Sequence, residues 1–167
     1  MPTLYLLRHA SSPLGEDDYG RSLDAGGLAD AQELGAYLQR NGVQLGVALC
    51  SSAQRTLETW ESMTAAWDPK VTVTPLDPLY LASASELLSA LRELPEDLTS
   101  ALLLAHNPGV QDLAVGLAGE GDHDAYVGMR DSYPAAALCE LSFDGLWSSL
   151  TPGAARLVRF APPGALP

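Results

Sequence analysis

Cationic and imidazole side chains follow three apolar, strand-like runs of the sequence, at the point where each run ends. They are Arg8 and His9 after the first run, Ser51 and Arg55 after the second, and His106 and Asn107 after the third. The recurrence is informative because the chain has only nine lysines and arginines and three histidines. Guanidinium groups and helix N-termini bind phosphoryl oxygens, and an imidazole can attack phosphorus. The pattern therefore predicts a phosphate site where the strands end.

His9 and His106 would divide the chemistry of such a site. One imidazole must be neutral, with one ring nitrogen fixed by a hydrogen bond while the other attacks phosphorus, and the second must donate to the phosphoryl oxygens. We expect His9 to be the nucleophile, because it directly follows a buried strand whose backbone can hold its tautomer. Taken alone, a histidine at the end of a strand is more often a hydrogen-bonded structural residue than a catalyst, and Arg8 alone is consistent with a solvated charge. No cysteine or H-x-x-x-H spacing supports a metal site here, and no cofactor is expected.

The elements that must position these residues alternate between strands and helices. Strand-like runs cover residues 4–7, 45–50, 71–74, 101–105, 136–143 and 155–160. Helical spacing predicts helices over 28–42, from an N-cap at Ser51 or Ser52 to Trp67, over 85–94, and from Pro108 to Leu117. Mostly apolar strands separated by amphipathic helices indicate an α/β fold with a mainly parallel sheet that is covered on both faces. The polar segment from Gly119 to Pro134 is expected to be a loop.

Length and charge limit the possible functions. A chain of 167 residues with 47% hydrophobic composition favours one domain over residues 1–160, followed by a frayed tail over 161–167. The formal net charge of −12 disfavours nucleic acid and anionic membranes as partners. The apolar runs are far shorter than the ~18 residues of a membrane span, and the N-terminus lacks a signal-peptide pattern. A cytoplasmic location is expected.

The three strand-end segments resemble the motifs of the histidine phosphatase superfamily, which also contains the cofactor-dependent phosphoglycerate mutases. LYLLRHA resembles the opening Arg-His motif, CSSAQRTLETW the second motif and LLLAHNPGV the third, in the family order. With the short length and the segment DDYGRSLDAGG, the chain is most similar to the small SixA-type phosphohistidine phosphatases. The resemblance implies a three-layer, phosphoglycerate mutase-like α/β sandwich.

The same resemblance implies roles for individual residues. His9 would accept the phosphoryl group as a phosphohistidine intermediate, and the groups that bind it would be Arg8, Arg55 and His106. Further expected substrate contacts come from Arg21 over the pocket mouth, Ser12 and Asn107, although Arg21 is also consistent with a solvated loop charge. The implied partner is a phosphohistidine-bearing protein or a small phosphorylated substrate.

One departure from the family pattern concerns the leaving group. Many relatives carry a glutamate just after the third strand, whereas this chain has LDPLYLAS at residues 76–83. A positioned general acid contributes roughly 10²- to 10⁴-fold, which matters for an alkoxide leaving group but much less for the imidazole of a phosphohistidine. The sequence therefore favours a phosphohistidine substrate. The alternatives are a small-molecule phosphomonoesterase with Asp77 as a displaced acid, for which Asp18 and Glu86 are weaker candidates, and a catalytically silent phosphate-binding module.

Overall fold

The computed structural model describes residues 1–167 as seven strands and five α-helices. The strands are β1 (Thr3–Arg8), β2 (Val47–Ser51), β3 (Val73–Leu76), β4 (Ser100–Ala105), β5 (Ala118–Gly121), β6 (Leu138–Phe143) and β7 (Ala155–Ala161). The helices are α1 (Ala25–Arg40), α2 (Gln54–Thr64), α3 (Ala84–Arg92), α4 (Gly109–Leu117) and α5 (His123–Asp131). No helix combines the length and the apolar character that crossing a bilayer requires.

The strands form one mixed sheet in the order β3-β2-β4-β1-β6-β7-β5. The first four of these pair in parallel, β6 is antiparallel to both β1 and β7, and β5 pairs in parallel with β7. Helices connect the parallel strands, as crossover connections require. The prediction of an α/β fold with a mainly parallel sheet is confirmed.

Both faces of the sheet are buried, so the fold has three layers. Along β1, Leu4 and Leu6 join a cluster that also contains residues of α3, α4 and α5. Tyr5 and Leu7 point to the other face and join a cluster with residues of α1 and α2. This double burial explains why the central strands are continuously apolar rather than alternating. The expected domain boundary at residue 160 falls one residue before the end of β7, and Leu166 packs against the second cluster.

The register of the central strands positions the strand-end residues. Arg8 pairs with Ala105 across β1 and β4, and the backbone N–H of His9 donates to the carbonyl of Ala105 at 3.1 Å. The residues after the two strands, His9 and His106, therefore leave the sheet side by side.

The prediction of a loop from Gly119 to Pro134 is wrong. The structure has β5 at its start, paired with β7, and then α5, whose N-cap Asp122 accepts a hydrogen bond from the backbone of Ala125 at 2.7 Å. The sequence pattern was misleading because β5 is short and glycine-rich, and because Met129 is the only buried residue of α5.

Smaller shifts affect several other elements, of which β3 and α2 are two. β3 lies two residues later than expected and includes Pro75, which an edge strand tolerates because it has a free side. α2 begins after Ala53, without a side-chain cap from a serine, and ends at Thr64 before Trp67.

Candidate active site

A cavity of about 330 Å³ opens where β1, β2 and β4 end. All seven residues that the sequence analysis selected line it: Arg8, His9, Ser12, Arg21, Arg55, His106 and Asn107. The other lining residues are Ser11, Leu14, Asp18, Leu81 and Ala135. The structure therefore brings the predicted residues together in one place. No group of three or more His, Cys, Asp or Glu side chains is arranged to hold a metal ion.

The hydrogen bonds of His9 fix one tautomer. Its Nδ1 lies 2.8 Å from the carbonyl oxygen of Ala10, so Nδ1 carries the proton and donates it. Nε2 then has a lone pair, to which the Nε–H of Arg55 donates at 3.4 Å. Ala10 is itself held, because its backbone N–H donates to the hydroxyl of Thr59 at 3.0 Å, and that hydroxyl donates to the carbonyl of Arg55 at 2.7 Å. The geometry leaves Nε2 of His9 as the atom that can act as a nucleophile.

His106 has the complementary arrangement. Its Nε2 lies 2.7 Å from the hydroxyl of Ser51, which accepts a hydrogen bond from the backbone N–H of Ala53 at 3.3 Å. The Ser51 hydroxyl already accepts from Ala53, and its own proton finds an acceptor when it donates to Nε2 of His106. Nε2 is then unprotonated, so the proton of neutral His106 lies on Nδ1. Nδ1 is buried and has no partner in the protein. His106, whose ring centroid lies 5.3 Å from that of His9, therefore has a free donor for a ligand.

Burial keeps both imidazoles neutral near pH 7. Desolvation lowers the pKa of His9 to about 4, with smaller contributions in the same direction from Arg55, Arg8 and Arg21, while the hydrogen bond to Ala10 opposes the shift. Desolvation likewise lowers the pKa of His106 to about 3, again with help from Arg55. A neutral His9 keeps the lone pair that a nucleophile needs.

Three arginines, Arg8, Arg21 and Arg55, supply positive charge to the cavity. The Nη1 group of Arg8 donates to the carbonyl of Tyr133 at 2.9 Å, whereas its Nε is buried without a partner. Burial, followed by the charge of Arg55, lowers the pKa of Arg8. Asn107 helps to fix this arrangement, because its side-chain nitrogen donates to the same Tyr133 carbonyl at 3.1 Å. Uncompensated buried donors of this kind favour an anionic ligand.

Asp18 lines the cavity, although the sequence analysis treated it as a weaker candidate acid than Asp77. Its carboxylate accepts from Nη2 of Arg55 at 3.3 Å, from Nε of Arg21 at 3.2 Å and from the hydroxyl of Tyr80. The Tyr80 hydrogen bond, followed by the two arginines, lowers the pKa of Asp18. Asp77, which the sequence ranked first, is exposed and does not line the cavity. The three-residue spacing of Asp18 and Arg21 was the signal that could have linked them.

Ser12 and Arg21 lie at the rim of the cavity and form hydrogen bonds to backbone carbonyls there. The hydroxyl of Ser12 donates to the carbonyl of Ser22 at 2.6 Å. Nη1 of Arg21 donates to the carbonyls of Ser12 and Pro13 at 3.2 and 3.1 Å. The Arg21 side chain is only 12% exposed, so it is anchored at the cavity mouth and is not a solvated loop charge.

Comparison with known proteins confirms the resemblance that the motifs suggested. The family model for the histidine phosphatase superfamily, branch 1, matches residues 4–78. An uncharacterised protein of Mycobacterium tuberculosis is 29% identical over 161 residues, covering 94% of this chain and 99% of the relative.

Solved structures extend the similarity over the whole chain. A structure from Nakamurella multipartitia described as a candidate phosphohistidine phosphatase, SixA, matches with a TM-score of 0.85 and 26% identity, covering 98% of this chain and 97% of that one. A second candidate SixA, from Agrobacterium tumefaciens, shares the fold with a TM-score of 0.79 at 23% identity, covering 98% of this chain and 99% of that one. The family-model match and the Nakamurella multipartitia structure support phosphatase activity, whereas the Agrobacterium tumefaciens structure shows the shared fold.

The contact between Ser51 and His106 predicts coupled effects on activity. Ser51→Ala removes the hydroxyl that fixes the His106 tautomer, and we expect kcat/KM on an activated aryl phosphate to fall roughly tenfold, the value of about one hydrogen bond. In a His106→Asn background the same change is expected to have little further effect. An equal loss in both backgrounds would show that Ser51 does not act through His106.

Burial of neutral histidines predicts a loss of stability in acid. The unfolded chain binds protons as the pH falls below about 6.5, whereas folded His106 does not until much lower pH, so the free energy of unfolding falls with pH. Urea denaturation measures the free energy of unfolding at each pH. Between pH 6.5 and 4.5 we expect this free energy to fall less in His106→Asn than in the wild type, by on the order of 2 kcal/mol. The exposed His123→Asn variant serves as the control. An unchanged pH dependence in His106→Asn would contradict the burial argument.

Proposed function

We propose that this chain is a phosphatase that removes the phosphoryl group from phosphohistidine on a protein, through a covalent intermediate on His9. The observation that carries the proposal is the state of His9: a buried, neutral imidazole whose Nδ1 is anchored by Ala10 and whose unprotonated Nε2 faces Arg55 at 3.4 Å, in a cavity that Arg8 also lines. A structural histidine can share the burial and the Nδ1 hydrogen bond, but it does not need a place in a cavity that is also lined by arginines.

The free donors of the cavity support binding of a phosphoryl group. Nε of Arg8 and Nδ1 of His106 are buried without protein partners, and Arg55 adds a second guanidinium. A phosphoryl group presents several oxygen acceptors at once, so it can satisfy donors that water or a single carboxylate would satisfy poorly. These donors also oppose the charge that develops on the oxygens in the transition state.

In the first step, Nε2 of His9 attacks phosphorus. A bond forms between Nε2 and phosphorus while the bond between phosphorus and the substrate imidazole breaks, and the electron pair of the broken bond stays on the leaving nitrogen. The Nδ1–H bond to Ala10 stabilises the positive charge that His9 gains. Because one P–N bond replaces another, we expect the free-energy change of this step to be small.

In the second step, a water molecule attacks the phosphorus of phosphorylated His9. The new P–O bond forms as the bond to Nε2 breaks, the electron pair returns to Nε2, and the proton of water leaves with phosphate or solvent. Release of phosphate restores the neutral His9, whose tautomer Ala10 and Thr59 have held throughout.

The lack of a carboxylic acid that could protonate a leaving group supports phosphohistidine over an alkyl phosphate. Asp18 is the one carboxylate that lines the cavity, and its lowered pKa makes it an ionised acceptor near pH 7 rather than an acid. Asp77 does not line the cavity, so it is not placed to act as the acid of the phosphomonoesterase alternative. The imidazole of phosphohistidine leaves as a neutral molecule when its other nitrogen carries a proton, so it does not need this help.

The covalent step predicts a trapped intermediate that depends on His9. After a brief reaction with a radiolabelled phosphohistidine peptide and a denaturing quench, the wild-type protein is expected to carry phosphate that is labile in acid and stable in base. His9→Ala is expected to carry none and to lose turnover by at least roughly 10³-fold, because the nucleophile is removed.

The control for this experiment is His123→Ala, since His123 is exposed and lies outside the cavity. It is expected to match the wild type in both labelling and turnover. Normal turnover by folded His9→Ala, or equal labelling of that variant, would exclude His9 as the nucleophile.

A further inference from the structure

Two exposed leucines lie on the rim of the catalytic cavity. Leu14 is 94% exposed and Leu81 is 58% exposed, and both line the same cavity as Arg8 and His9. Single exposed apolar residues are common on protein surfaces. Two large ones that border one buried, cationic site are a specific arrangement, because they place apolar surface next to the polar part of the rim formed by Ser12 and Arg21.

The backbone holds Leu81 in an unfavourable conformation. Its φ is 51°, in the left-handed region that a leucine rarely occupies. Its neighbours Leu79 and Ala82 are buried, and the backbone of Gly109 approaches so closely that a Cβ there would lie 2.1 Å from the carbonyl oxygen of Ala82. The segment is thus fixed on both sides while the Leu81 side chain is directed to solvent. Strain of this kind concentrates at functional sites.

We propose that Leu14 and Leu81 form an apolar rim that binds apolar side chains flanking the phosphohistidine of the substrate protein. This inference rests on the proposed function and specifies its substrate class. The rim is continuous with the cavity, so the molecule that places a phosphoryl group beside His9 must pass it. A small phosphorylated metabolite inside the cavity would leave Leu14 uncovered, whereas a protein surface would cover both leucines and remove apolar area from water.

The test compares two phosphohistidine peptides that differ only at the positions flanking the phosphohistidine, with leucine in one and serine in the other. The measured quantity is the ratio of their kcat/KM values for each enzyme, so that any general effect of a substitution cancels. The wild type is expected to prefer the leucine peptide by roughly tenfold, which corresponds to partial burial of one leucine side chain.

The variant is Leu14→Ser combined with Leu81→Asn, since asparagine adopts the left-handed conformation more readily than leucine and keeps the local backbone. Its ratio is expected to fall to about one. The control is Leu146→Ser, because Leu146 is 52% exposed but does not line the cavity, and its ratio is expected to equal that of the wild type.

The outcomes separate the rim from the proposed function. A wild-type ratio near one, or a preference that survives in the double variant, would overturn the rim while phosphohistidine hydrolysis still stands. Failure of the wild type to hydrolyse both peptides and free phosphohistidine would overturn the proposed function, and the rim with it.

Discussion

The parallel pairing of β1 with β4 is the constraint on which the site depends. Its register sets Arg8 opposite Ala105, so His9 and His106 emerge next to each other at the carboxyl edge of the sheet. A slip of one residue would turn every side chain of β1 to the opposite face and disrupt both apolar clusters. The packing of both clusters therefore favours the same register that places the ring centroids of His9 and His106 5.3 Å apart. The geometry of the site thus depends on the packing of the core.

The second constraint is electrostatic. Buried cations are costly unless they are paired, and this site buries Arg55 almost completely while leaving one nitrogen of Arg8 without a partner. Asp18 offsets part of this cost from the cavity mouth, and Tyr80 holds that carboxylate in place. The same positive charges help to keep His9 neutral. Under the proposed function, the donors and the nucleophile are in position before a phosphoryl group enters, which is the condition for catalysis by preorganised electrostatics.

The sequence predicted the features that follow from strong local patterns. Apolar runs located β1 and β4 closely. Polar and charged residues at strand ends identified five of the seven candidate residues that line one cavity, and the family resemblance supplied the other two, Ser12 and Arg21. It failed where tertiary contacts decide: α5 buries a single residue, and β5 exists only because β7 offers a partner. Asp18 was underrated for the same reason, since its role depends on Arg55 and Tyr80, which are distant in the chain and adjacent only in the fold.

The central claim is that His9 removes a phosphoryl group whose leaving group needs no acid. The most direct measurement is kcat/KM of the wild type on one peptide phosphorylated at a histidine, set beside the same peptide with phosphoserine at that position. We expect a preference for phosphohistidine of roughly 10²- to 10⁴-fold, the contribution of a missing general acid. Comparable values for the two peptides would contradict it and would show that a group in the site, with Asp18 the first to examine, protonates an alkoxide leaving group.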